Sequence, residues 1–80
     1  LVLQGETDLQ VTPEQADTLG AVLRAAGNER VTVRRLPATN HLFQHDPSGV
    51  PSGYGALPER RVTSETLGVV VAWVRGVVGR

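Results

Sequence analysis

The sequence predicts an α/β fold, a parallel sheet carrying helices, on three observations. Two short strand-like stretches, Leu1–Leu3 and Val31–Leu36, flank one helix-length segment whose apolar residues recur at helical spacing. A second amphipathic helix closes the chain. Strand, helix and strand in this order make a βαβ unit. Its crossover is right-handed in nearly every case, so the loops after both strands open at the same C-terminal edge of the sheet, where ligands bind in open α/β folds.

Leu1–Leu3 is a continuous apolar run ending at Gln4-Gly5, the pattern of a central parallel strand covered on both faces. It begins without methionine or a polar lead-in and reads as the inside of a larger sheet, with further sequence expected before Leu1. Thr12-Pro13-Glu14-Gln15 is a helix-start signal. Thr12 can cap, Pro13 loses nothing by lacking an N–H in the first turn, and Gln15 can close a capping box. The helix is predicted from about Pro13 to Ala26, with Ala16, Leu19, Leu23 and Ala26 on its buried face. Gly27-Asn28 supplies a left-handed stop. Val31–Leu36 forms the second strand, β-branched at its start, and Pro37 ends its pairing for want of an N–H.

From Gln44 to Val62 the residues Pro47, Gly49, Pro51, Gly53, Gly55 and Pro58 argue against any regular element, and a loop of this length is functional or mobile. Ser64 is expected to cap the final helix, in which Leu67, Val70, Val71, Val74, Val77 and Val78 form one stripe. The stripe is expected to cover a sheet. Two strands offer too little apolar surface for two such helices, which again predicts a larger sheet. There are no internal repeats, and residues 1–80 form part of one domain.

Composition removes several classes of function. Eight Arg balance eight Asp plus Glu, so no basic stripe is available to follow a phosphate backbone, and no nucleic-acid partner is expected. The absence of Cys excludes disulfides, thiolate zinc sites and a cysteine nucleophile within these residues, while fitting either redox compartment. No apolar stretch reaches the roughly 20 residues of a membrane span. Localisation is not encoded in any of these features.

Two loops carry the candidate chemistry. Gly5-Glu6-Thr7-Asp8 follows the first strand and Asn40-His41-Leu42-Phe43-Gln44 the second. A carboxylate and an imidazole at one sheet edge are the acid and base of a Ser/Asp/His apparatus. The acid accepts a hydrogen bond from Nδ1–H, fixes the tautomer and stabilises the imidazolium, while Nε2 takes the nucleophile's proton. Taken singly, Asp8 reads more readily as a turn aspartate than as a catalytic acid, and His41 equally as a base and as a loop histidine bonded to backbone. Their joint placement favours the catalytic pair over these, and Asp8 is better placed than Glu6 to point across the loop. The nucleophile is missing: at Ser52, Val50 stands where Gly-x-Ser-x-Gly needs its first glycine, and Ser48 and Ser64 fit no better.

His41 and His45 are spaced for one helix face, with Asp46 as a conceivable third ligand. The segment has no helix cap and runs into Pro47, so no metal site and no cofactor are expected. Phe43 and Tyr54 could line a cleft or serve as packing anchors. Trp73 fits helix–sheet packing, and the pairs Arg34-Arg35 and Arg60-Arg61 fit solvated surface.

Leu-Val-Leu-Gln-Gly-Glu-Thr-Asp-Leu-Gln-Val-Thr-Pro over residues 1–13, the helix with Ala16 and Leu19, and Leu-Pro-Ala-Thr-Asn-His-Leu-Phe over residues 36–43 resemble the C-terminal end of the α/β-hydrolase superfamily. Within it they are similar to the bacterial esterase, dienelactone-hydrolase-like and serine-aminopeptidase-like branches. Gly-x-Pro-Ser-x-Tyr at residues 49–54 and the late Val-Ala-Trp-Val also fit. The resemblance covers nearly the whole chain and is specific for the superfamily, less so for a substrate. It implies that residues 1–80 are the C-terminal strand-helix-strand-helix portion of an α/β-hydrolase parallel sheet, with the nucleophile-bearing N-terminal part absent. It further implies that Asp8 is the triad acid and His41 the triad base.

The function expected on this basis is hydrolysis of a small-molecule carboxylic ester through an acyl-enzyme, these residues alone being inactive. Activity of the entire protein would fall as the imidazole protonates within the pH 5 to 8 window in which histidines titrate. The Gln44–Val62 loop would form a wall of the substrate pocket. The rival readings are a non-catalytic α/β-hydrolase relative, in which the elbow serine is replaced, and a small-ligand-binding α/β module, in which Asp8→Asn would matter little.

Overall fold

The computed structural model describes residues 1–79. Along them run a strand β1 (Val2–Gly5), a helix α1 (Glu14–Ala25), a strand β2 (Val33–Leu36), a 3₁₀ segment (Pro51–Ala56) and a helix α2 (Ser64–Val78). β1 and β2 pair in parallel, Val2 opposite Val33 and Gly5 opposite Leu36, with α1 as the crossover that parallel strands require. The fold is therefore mixed α/β. Because the strands are parallel, the Asp8 and His41 loops leave the sheet at the same edge.

β1 extends beyond the expected Leu1–Leu3 through Gln4 and Gly5, and the Glu6 amide continues the ladder to the Leu36 carbonyl at 2.9 Å. The polar Gln4 side chain masked this continuation in the apolar pattern, because its amide is satisfied inside the fold. β2 is shorter than the expected Val31–Leu36, although the Thr32 carbonyl still accepts from Val2 N at 2.8 Å.

At the start of α1 the cap falls on Pro13, already in helical conformation, and no side chain caps it. The predicted Thr12 cap does not form; Thr12 instead accepts at its carbonyl from Gln15 N. The predicted stop does form. Gly27 takes φ +94°, Gly27 N donates to Arg24 O, and Asn28 N donates to Leu23 O, the paired bonds that close a helix on a left-handed residue. The buried face is Ala16 and Gly20, with Leu23 half-buried, whereas Leu19 is exposed. A Cβ on Gly20 would stand 2.5 Å from Val33 Cγ2, so the helix approaches the sheet on its smallest residues and turns Leu19 aside. Arg35 and Asp17 form an ion pair at 2.6 Å across this contact, on exposed surface.

The Gln44–Val62 region is more regular than its composition suggests. It contains the 3₁₀ segment, and just ahead of it Thr39 and His45 form an antiparallel bridge. α2 is capped by Thr63, whose hydroxyl accepts from Thr66 N at 3.1 Å, one residue before the predicted Ser64. Its apolar stripe faces solvent instead of covering the strands: Leu67, Val70, Val71, Val74 and Val78 are all exposed. Trp73 and Val77 line a small hollow with Glu29–Thr32 at the start of β2. No helix among the described residues is long and apolar enough to cross a membrane.

Burial is concentrated away from the usual apolar centre. Among the described residues Ala16 and Leu36 are the buried apolar side chains, whereas Gln4, Asp8, Thr39, Asn40, Asp46 and Thr66 are buried polar ones. Burying a polar group is costly unless it is hydrogen-bonded, and every buried side-chain N or O among the described residues has a partner. Most of these residues lie at the C-terminal edge of the two strands. The fold has invested its interior in a polar network there.

Candidate functional site

Two backbone approaches bring the loops together. At Gly5 a Cβ would stand 2.1 Å from the Thr39 carbonyl oxygen and 2.6 Å from that of Asn40, so only glycine lets the segment before His41 lie across the end of β1. Close approach, and not a positive φ, is what requires glycine here. At Gly49, φ is +69° and a Cβ would overlap the Thr7 carbonyl, so a second glycine seats the far side of the histidine loop on the aspartate loop. Thr7 Oγ1 also donates to the Asp46 carbonyl, and Thr7 N donates to Thr39 O at 3.1 Å.

Across this contact His41 Nδ1 lies 2.9 Å from Asp8 Oδ2. Asp8 is buried, while the imidazole side chain is 39% exposed, so one ring edge is held and the other is presented. The remaining partners of Asp8 are all donors. Oδ1 accepts from Gln10 N and Val11 N, each at 2.9 Å, and Oδ2 accepts from Gln4 Nε2 at 3.0 Å. Burial pushes the Asp8 carboxyl up, but the Val11 amide, the His41 ring and the Gln10 amide outweigh it and hold the carboxyl below its ordinary value. An ionised Asp8 can only accept, so Nδ1 is the donor and Nε2 carries the lone pair. Nε2 has no hydrogen-bond partner among the described residues. The pair is thus arranged to accept a proton from outside.

The loop that holds His41 is built around Asn40, which is fully buried. Its Oδ1 accepts from Leu42 N at 2.9 Å and Gln44 N at 3.0 Å, while its backbone N–H and C=O bond Gln44 O and Phe43 N, each at 3.0 Å. Phe43 and Ala38 both adopt positive φ, at 59° and 49°, conformations that cost on the order of 1 kcal/mol or more in non-glycine residues and persist only where neighbours enforce them. Asp46 closes the far side. Its Oδ1 accepts from Ser48 N at 3.1 Å and Ser48 Oγ at 2.8 Å. Burial pushes its carboxyl up, and the Ser48 hydroxyl, the Gly49 amide, Asn40 and the Ser48 amide together hold it below the ordinary value.

A cavity of about 170 Å³ opens beside the pair, lined by Leu3, Gln4, Gly5, Asp8, Val11, His41 and Phe43. Phe43 thus shares this cavity with the histidine. Tyr54 does not line this cavity; its Oη accepts from Gln10 Nε2 at 3.0 Å and pins the 3₁₀ segment to the aspartate loop. His45 is exposed and bridges to Thr39, and no cluster of three potential metal ligands occurs among the described residues. No serine reaches His41: Ser48 is bonded to Asp46, Ser52 lies in the 3₁₀ segment and Ser64 opens α2.

Asp8 and His41 come from the sequence; the groups that hold them do not. Gln4 was readable only as the end of an apolar run, Asn40 only as part of a loop, and Asp46 only as a remote metal ligand. The available signals were a glutamine inside an otherwise apolar strand and an Asp-x-Ser turn, both weak without the fold. Compared with known proteins, the chain matches no family model, no curated protein and no solved structure.

Proposed function

We propose that Asp8 and His41 are the acid and base of a Ser-Asp-His triad in an α/β-hydrolase-like enzyme that cleaves carboxylic esters, with the serine supplied by sequence outside residues 1–80. The observation that carries this reading is the 2.9 Å bond from His41 Nδ1 to a buried Asp8 whose other partners are all donors, leaving Nε2 free. In the proposed reaction Nε2 removes the proton of the serine hydroxyl as its oxygen attacks the ester carbonyl. The imidazolium, stabilised by Asp8, returns that proton to the departing alcohol. Water then enters by the same base to release the acid from the acyl-enzyme. General-base catalysis of this kind contributes roughly 10²–10⁴-fold.

Fluorophosphonate labelling of the full-length polypeptide tests the proposal. Labelling of the native protein that is lost in His41→Ala is the expected result, and the labelling rate should fall as pH drops and the imidazole protonates. A natively folded protein that takes no label would instead support a non-catalytic relative or a ligand-binding module.

A further inference from the structure

Gln4 is an unusual residue for its place. It stands in β1 between Leu3 and Gly5, is buried, and opposes Arg35 in the register. A side-chain amide inside a strand costs free energy unless it is bonded, so what it bonds shows what it is for. Its Nε2 lies 3.0 Å from Asp8 Oδ2 and 2.9 Å from the Val11 carbonyl, with the Gly5 carbonyl at 3.4 Å. All three neighbours are acceptors, which fixes the orientation of the amide: nitrogen, not oxygen, faces Asp8. The two short bonds use both of its hydrogens.

Those two bonds span the aspartate loop. One holds the carboxylate, and the other holds the carbonyl of the residue whose N–H binds the opposite carboxylate oxygen. A carboxylate has about four lone-pair positions, and Asp8 fills them with Gln4, His41, Gln10 and Val11. With each position taken by a donor, the carboxylate has no vacant site at which to rotate or take up a proton without losing a bond. We propose that Gln4 is a positioning residue that locks the Asp8 carboxylate and thereby holds His41 in the Nδ1–H tautomer, with Nε2 as the base.

The inference deepens the hydrolase reading, but its primary test does not depend on activity. Nitrogen-15 NMR of the histidine rings in the full-length polypeptide, comparing wild type with Gln4→Met and Gln4→Glu, reads the tautomer of His41 directly. Wild type is expected to show the Nδ1–H form. Gln4→Met keeps the length of the side chain and removes its donor, and is expected to give a mixture of tautomers with a weakened Nδ1–H to Asp8 bond. Gln4→Glu places a second carboxylate against Asp8, and is expected to keep His41 protonated to a higher pH than wild type does.

If wild type hydrolyses p-nitrophenyl acetate, Gln4→Met should lower kcat by roughly tenfold with little change in KM, the size expected for one bond to a charged group. The acid limb of kcat/KM in Gln4→Glu should move to higher pH. A purely structural glutamine would lower the melting temperature of both variants and leave the His41 tautomer and its titration unchanged, and that result would overturn the proposal. A fixed wild-type tautomer that is lost in Gln4→Met, in a protein that takes no fluorophosphonate, would sustain the positioning role and sink the hydrolase reading alone.

Discussion

At the scale of single residues, the site is a set of carboxylates kept ionised inside the protein. Asp46 illustrates the energetics. Burial raises its carboxyl, the Ser48 hydroxyl and the Gly49, Asn40 and Ser48 donors lower it further, and the net direction is downward. A group whose folded pKa is depressed contributes stability above its unfolded value, about 3.9 for aspartate, and loses it as pH falls through the lower folded value. Asp46→Asn should therefore melt below wild type at neutral pH and show a flatter dependence of melting temperature between about pH 5 and pH 2. Parallel curves for the two proteins would show that Asp46 does not supply this acid sensitivity. Asp8 and His41 were legible in the sequence because a strand-helix-strand order delivers both loops to one edge. Gln4 and Asn40 were not, because an amide's role depends on which acceptors and donors the fold places around it.

At the scale of elements, the boundaries moved by a residue or two for specific reasons. Ser64, the stronger capping type, was the expected cap, but the register of α2 selects the adjacent Thr63 through its bond from Thr66 N. Thr63→Ala should cost about 1 kcal/mol in urea unfolding, and Ser64→Ala only a few tenths. Equal losses from both would mean that the cap bond is not what anchors the helix. The face of α1 was read on Ala16, Leu19, Leu23 and Ala26, of which Ala16 is buried, Leu23 is half-buried and Leu19 and Ala26 are exposed, while Gly20, outside that reading, completes the packed face. Spacing identifies a helix but does not say which stripe a neighbouring strand admits, and here Val33 excludes anything larger than glycine. The Arg35–Asp17 pair, although short, is exposed and contributes little, as surface ion pairs generally do.

For the whole molecule, the apolar surface is distributed against expectation. The periodicity of α2 was legible, yet the stripe of Leu67, Val70, Val71, Val74 and Val78 lies open to solvent because two short strands present too little surface to absorb it. A chain of residues 1–80 alone should bind the dye 1-anilinonaphthalene-8-sulfonate, and the double substitution Val71→Gln, Val74→Gln should remove most of the enhancement. Unchanged dye fluorescence in that variant would place the accessible apolar surface elsewhere.

The amide of Thr63 donates to the carbonyl of Phe43 at 2.9 Å. Phe43 sits two residues beyond His41, in a left-handed conformation, against the cavity. α2 is consequently tethered at its cap to the imidazole loop: moving the start of the helix away would leave the Phe43 carbonyl without this donor.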